Sequence, residues 1–226
     1  SDEFKAAAQG KQWSWVRENK ADWSLTKTPG YMVITGQKGD LEGKANNAGN
    51  LFLQSANTDW TVTSRIVFSK KPTLGQQGGL IAYQDDDNYI KLVFKTAAGR
   101  RGMGFGPGAS IEIVVEQDGN QSSGGSISAA DIIGDDNVVF LKLVKKGTVY
   151  EASVSGNGKN FKNAGKADVA LKDIKAGAIV CNGNSDGRPS GNFPAMPGMP
   201  QQASPDDNTP FTASYDYIRI SSEATR

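Results

Sequence analysis

An all-β sandwich is the fold class this sequence predicts, and three observations predict it. Turn-forming residues are dense, with 27 glycines among 226 residues. No stretch carries the three-to-four spacing of a long buried helix face, whereas many short stretches alternate apolar and polar residues in steps of two. These stretches recur at short intervals between Gly, Pro, Asn and Asp clusters, the pattern of two antiparallel sheets packed face to face. One such domain accommodates the whole of 1–226 around a single core.

Along the chain, Asp2-Glu3-Phe4 reads as a short edge strand. Trp13-Ser14-Trp15-Val16 and Trp23-Ser24-Leu25-Thr26 follow, separated by the polar loop 17–22. Thr28-Pro29-Gly30 is a turn, because proline fixes one dihedral and glycine supplies the other. Tyr31 to Thr35 is a strand, 36–49 a polar loop, and Asn50-Leu51-Phe52-Leu53-Gln54 re-enters a sheet. Within 60–68, Trp60, Val62, Ser64, Ile66 and Phe68 share one face, and Thr61, Thr63, Arg65 and Val67 the other.

The centre of the predicted fold is a hairpin. Gly79 to Gln84 is its first arm, Asp85 to Asn88 a tight acidic turn, and Tyr89 to Phe94 its second arm. Ile90, Leu92 and Phe94 make an apolar core face, so Tyr89, Lys91 and Val93 make a mixed face on which a ligand surface can be built. Downstream, 111–117 is a strand followed by a Gly/Ser/Asn-rich hairpin or excursion to Gly134, and 137–145 pairs with 148–155 across Lys146-Gly147. Strands at 175–181 and 211–220 close the chain, the last returning beside the first. Two segments exceed ordinary connections, the basic glycine-rich 97–109 and the Pro/Gly/Asn/Asp-rich 182–210. The former lacks the Lys-Ser/Thr ending of a phosphate-binding loop and reads as a surface loop.

Composition excludes several functions. A formal net charge of +1 gives no nucleic-acid footprint. With no histidine, the chain builds no Ser-His-Asp triad and no His-ligated metal site. Its single cysteine, Cys181, follows Ala178-Ile179-Val180 and reads as a small buried hydrophobe, and it excludes an intramolecular disulfide. No segment reaches the roughly 20 apolar residues of a membrane-spanning helix. Ser1 in place of an initiator methionine is expected to mark a processed or excised boundary.

Four constellations could carry chemistry. Glu112 and Glu116 lie on one face of a strand, as in retaining jelly-roll glucanases, but the intervening position is Val114 where those enzymes carry Asp. A retaining pair must come within about 5 Å with its acidities tuned apart, and the missing carboxylate removes a tuning partner. The 85–88 run offers hard oxygen ligands for Ca²⁺ without the glycine and distal glutamate of an EF-hand, so a plain turn competes with a metal site there. A second cation site is expected where the termini pair, from Glu3 and Asp216. Finally, Trp13, Trp15 and Trp23 stand close to Arg17, Glu18 and Asn19. Aromatic planes take the C–H faces of sugars while polar groups take the hydroxyls. The expected saccharide platform is Trp15, Arg17, Tyr83, Asp87, Asn88, Tyr89 and Lys91, on a concave sheet with one face open to solvent.

Several motifs occur together and in order. They are Asp2-Glu3-Phe4; Gln12-Trp13-Ser14-Trp15; Trp23-Ser24-Leu25-Thr26 with Pro29-Gly30-Tyr31; Asn50 to Gln54; Gly78 to Tyr83 with Asp85 to Tyr89; and Ala213-Ser214-Tyr215-Asp216-Tyr217-Ile218. In these the chain resembles the concanavalin A-like module that follows the catalytic propeller of family 43 β-xylosidases and α-arabinofuranosidases. The resemblance implies a jelly-roll sandwich, and insertions near 99–136 and 182–210 depart from the family pattern. It implies a non-catalytic carbohydrate-binding or accessory role beside a glycoside hydrolase catalytic domain, with a polysaccharide or oligosaccharide as ligand. A structural Ca²⁺ and an exported, bacterial protein, secreted or periplasmic, are implied as well. The rivals are a hydrolase acting through Glu112 and Glu116, and a structural module that docks only onto protein.

Overall fold

The computed structural model of the protein describes residues 1–43, 45–96, 108–183 and 210–222. Among them the strands run β1 (Ser14–Val16), β2 (Trp23–Ser24), β3 (Met32–Thr35), β4 (Gln37–Lys38), β5 (Leu51–Ser55), β6 (Trp60–Phe68), β7 (Gln76–Asp85) and β8 (Asn88–Thr96). They continue with β9 (Ala109–Gln117), β10 (Asn120–Ser128), β11 (Val138–Lys146), β12 (Val149–Ser155), β13 (Lys162–Asp168), β14 (Lys175–Asn182) and β15 (Thr212–Ser222).

Two sheets stack as the alternating pattern requires. One has the order β1-β5-β14-β7-β8-β9-β10, with β4 added parallel to β14; the other runs β13-β12-β11-β6-β15-β3-β2. Alternation decides what fills the space between them. On β6 the buried residues are Trp60, Val62, Ser64, Ile66 and Phe68, which meet Leu80, Ala82, Ile90, Leu92 and Phe94 of the facing hairpin in the main core. Tyr215 spans the layers, its hydroxyl donating to the carbonyl oxygens of Gly79 (2.8 Å) and Ile179 (3.2 Å) on the opposite sheet.

The two open sides of the sandwich close differently. On one, Trp15 of β1 stacks on Trp23 of β2 at 4.8 Å, joining the edges of the two sheets through indole rings. On the other, β10 and β13 approach so closely that a Cβ on Gly125 (φ +128°) would lie 2.8 Å from Gly165 Cα. Only glycine tolerates both that dihedral and that contact.

The hairpin β7–β8, its tight turn, β6, β11–β12, β14 and the final strand stand where the sequence predicts them. Two expectations change, and one alternative is decided. Of the hairpin and the excursion expected after 117, the hairpin stands: β10 folds back on β9 and extends the sheet, with a bulge between Ser123 and Gly125. Strand β13 is not visible in the alternation, because a bulge at the Ala152/Ser153 pairing breaks the period of two and leaves Ala164 and Ala167, three residues apart, as its buried residues. Asp2 makes a single bridge to Ile218, where a short edge strand is predicted. Most of the 97–109 and 182–210 segments lies outside the described residues.

Candidate functional site

The mixed face of the hairpin is where sequence places a ligand, and its sidedness is as expected. Tyr83 and Tyr89 are register partners and share a small apolar cluster with Ile81, Val93, Val114, Ile179 and Cys181, on the side of the sheet away from the main core. This face is not open. The described residues of 39–50 (39–43 and 45–50) lie across it as a strap, adding Leu41 and Ala48 to the cluster. Tyr89 and Lys91 are both 0% exposed, so the expectation of a solvent-facing platform there is corrected.

Charge explains why the strap sits down. A lysine in the middle of an apolar strand is costly to bury unless paired. Lys91 Nζ lies 3.2 Å from Asp40 Oδ1 and 3.2 Å from Glu42 Oε1, and Lys95 Nζ lies 3.0 Å from the same Glu42 oxygen. Asp40 also accepts from Gln77 Nε2 (2.6 Å) and from the Leu41 amide (2.7 Å). Asn47 closes the strap on itself, its Oδ1 accepting from the Asp40 amide at 2.9 Å. Burial alone would raise the Glu42 pKa, but Lys91 and Lys95 outweigh it and hold the carboxyl below its ordinary value. Burial likewise disfavours the Lys91 charge, and Asp40 and Glu42 reverse that effect and raise its pKa.

Glu116 completes the underside of the strap. Its Oε2 accepts from the Tyr89 hydroxyl (2.8 Å) and the Gly43 amide (3.1 Å), while its buried Oε1 has no hydrogen-bond partner. Burial raises its pKa, against the pull of those two donors and of Lys91. Glu112 shares the strand face but is partly exposed. With Glu116 sealed and Val114 between them, the two carboxylates do not frame an open cleft.

The remaining platform residues do not form one surface. Arg17 grips Asp86 through both terminal nitrogens (2.8 and 2.9 Å), and its Nε donates to the Ala48 carbonyl at 2.7 Å. The Tyr83 hydroxyl donates to the same Asp86 at 2.8 Å, so Arg17 and Tyr83 pin the end of the strap to the hairpin turn. Asp87 is exposed and accepts from Asn46, and Asn88 ties Asp85 to the Asp118 amide. Trp15 lies on the other side of this sheet. It packs on the main core against Phe52 (4.5 Å), and its indole nitrogen donates to Gln9. One stacking plane made from Trp15 and Tyr89 is therefore not available.

The predicted cation ligands meet guanidinium groups instead. Both Glu3 oxygens accept from Arg219 (2.7 and 2.8 Å), which lowers the Glu3 pKa. Asp216 faces Arg65 Nη1 at 3.5 Å. Two carboxylates already neutralised by arginines form a poor seat for a dication. Among the described residues no group of three or more Asp, Glu, His or Cys could hold a metal. The acidic turn is occupied too, since Asp85 Oδ1 accepts from the Asp87 amide and from Asn88.

Residues 1–184 match the model of the β-xylosidase C-terminal concanavalin A-like domain. The chain belongs to this family. Solved structures agree with the fold of the module. The GH43 protein BlXynB of Bacillus licheniformis superposes with a TM-score of 0.73 at 21% identity, over 97% of this chain and 38% of that one. A xylan β-1,4-xylosidase of Bacillus halodurans gives 0.69 at 16%, over 97% and 38%. The module thus spans about two fifths of the length of those proteins. A functionally unknown protein of Saccharomyces cerevisiae gives 0.63 at 14%, with 95% of this chain matching 98% of that one. No curated protein matches the chain in sequence.

The sequence did not single out the strap acids Asp40 and Glu42. A signal existed in Lys91, whose place inside Tyr-Ile-Lys-Leu-Val-Phe requires a counter-charge from elsewhere in the chain.

Proposed function

We propose that this β-xylosidase C-terminal module is a non-catalytic, saccharide-associated accessory module that works beside a glycoside hydrolase catalytic domain. Family membership supports the association with glycoside hydrolysis. The observation that carries the non-catalytic reading is the sealing of Glu116. A retaining or inverting mechanism needs two carboxyl groups flanking an accessible glycosidic bond. Here one of the two candidates is 0% exposed beneath the strap, held by a tyrosine hydroxyl and a backbone amide. The partner that fits is the catalytic domain that the module follows in a β-xylosidase. The exported location inferred from the resemblance agrees with a polysaccharide ligand.

The test is an assay of the purified chain. Incubated with arabinoxylan or an aryl β-xyloside it should release no sugar, while in affinity electrophoresis a gel containing arabinoxylan should retard it. Hydrolysis that disappears in Glu116→Gln would establish the rival enzyme reading in its place.

A further inference from the structure

The strap covers one outer face of the sandwich. On the seven-stranded sheet the corresponding face carries no such cover among the described residues, and its central strands hold an unusual set of side chains. Register aligns them in two rows across β11, β6 and β15. The first row is Phe140–Arg65–Tyr217, and the second, two residues along each strand, is Lys142–Thr63–Arg219. All point away from the core, since Val139, Leu141, Val62, Ser64, Ile66 and Ile218 alternate with them inside.

A β-bulge builds the middle of this face. The pairing of β15 with β6 slips between Tyr215 and Tyr217, so that Tyr215 stays in the core while Asp216 and Tyr217 both emerge beside Arg65. Bulges re-aim side chains in this way and recur beside functional surfaces. Arg65 then receives three neighbours: the Tyr31 hydroxyl at 3.0 Å, Asp216 at 3.5 Å, and the Phe140 ring at 5.9 Å from its guanidinium carbon. In the second row Lys142 Nζ sits 4.5 Å from the Phe161 ring and has no carboxylate partner among the described residues. Arg219 lies 3.8 Å over the Tyr217 ring while holding Glu3.

From this arrangement we infer that a neutral, xylan-type glycan chain binds across the strands on this face, along the Phe140–Arg65–Tyr217 row. The occupant follows from the chemistry of the surface. Its two arginines are each matched by a carboxylate, which leaves Lys142 as the one unmatched charge of the two rows among the described residues, so the surface presents many donors and acceptors at low net charge, which suits an uncharged polyhydroxylated chain. Half-buried rings stand at both ends of the first row, two strand spacings or roughly 10 Å apart; Arg219 caps one plane of Tyr217 at 3.8 Å, and Arg65 and Gly158 lie against Phe140, so sugar C–H faces meet the part of each ring that these groups leave uncovered. Between and beside them Thr63, Lys142, Tyr31 and Asp216 supply hydroxyl partners. A protein partner would call for an apolar centre. Among the described residues Leu74 alone is a large exposed hydrophobic, and it lies off this face, bridged to Thr96 of the other sheet.

This inference rests on the saccharide-associated reading and moves the saccharide from the sealed face to the open one. The experiment is affinity electrophoresis in soluble arabinoxylan, with xylohexaose titration, on the full chain and on Phe140→Ala, Tyr217→Ala and Trp15→Ala. Thr63→Arg is added because it removes no packed ring and fills the space between the rows; thermal melts establish that each variant is folded. The wild type and Trp15→Ala should bind alike, and each ring truncation should weaken binding about tenfold. Thr63→Arg should abolish it. Binding by all variants equal to wild type would overturn the platform while leaving the accessory reading intact, as would a loss confined to Trp15→Ala. Failure of the wild type to bind either probe would overturn both. Capture of a GH43 catalytic domain that Tyr217→Ala prevents would make this face a protein-docking surface and would likewise overturn the glycan assignment.

Discussion

The two outer faces of this sandwich solve opposite problems with similar residue types. On the eight-stranded sheet, Lys91, Tyr89 and Glu116 lie under a strap that brings Asp40 and Glu42 down as counter-charges. On the seven-stranded sheet, Arg65, Tyr217 and Asp216 stand at a bulge with no covering segment among the described residues. Lysine, tyrosine and acid on a strand are therefore not a signature of a binding face. What distinguishes the faces is whether another segment satisfies the charges. The strap does so completely for Lys91, and the face becomes a second small core. Around Arg65 the ion pair is longer (3.5 Å against 3.2 Å) and partly exposed, which leaves hydrogen-bonding capacity for a ligand.

The largest expected effect breaks the sealed face. Lys91→Met leaves Asp40 buried without its cation and Glu42 with Lys95 alone, and should cost about 3–5 kcal/mol in urea unfolding. A cost near zero would mean that the strap is not held by this pair. Acid should act in the same direction more gently. The folded Glu42 carboxyl titrates below its ordinary value of 4.5, so its stabilisation is present above that pH and is lost as pH falls below it through the folded pKa. Hydrogen exchange should accordingly show 39–50 opening below pH 4.5 ahead of the strands beneath it.

Glu116 has the opposite sign. Its folded pKa is raised, so its ionisation weakens the fold as pH rises above 4.5 through the folded value. Glu116→Gln should then stabilise the protein at pH 7, on the order of 1 kcal/mol, with the gain vanishing under acid where both forms are neutral. A destabilised variant would show instead that the carboxylate is needed. The smallest effect belongs to the open face. Arg219→Ala breaks a bidentate but exposed pair with Glu3 and should move the unfolding free energy by less than about 1 kcal/mol. A larger loss would mean that the open face also contributes to holding the fold together.

Much of the architecture was legible because alternation is a local property. The faces of β6 and the two sides of the β7–β8 hairpin follow directly from which residues occupy odd and even positions. The strap was not legible, since 36–49 reads as polar loop and its pairing with Lys91 spans 51 residues of sequence. Trp15 was misplaced for a related reason. Alternation puts it on the side of Trp13, but only the sheet order shows that this side faces the main core while Tyr83 and Tyr89 face the other way. The bulge that exposes Asp216 and Tyr217 together breaks the period of two, so simple alternation from Tyr215 sends Asp216 outward and Tyr217 inward. Glu3 and Asp216 read as cation ligands in the sequence because the termini are expected to pair. They do, through Asp2 and Ile218, but Arg219 and Arg65 arrive with them.

NMR shift mapping of the chain titrated with xylohexaose tests most directly whether the saccharide is held on the open face. The account predicts perturbed signals at Phe140, Tyr217, Thr63 and the Arg65 guanidinium, with Leu41, Glu42 and Tyr89 unmoved. Shifts concentrated at 39–50 and at Tyr83 or Tyr89, with the β11–β6–β15 rows silent, would contradict it.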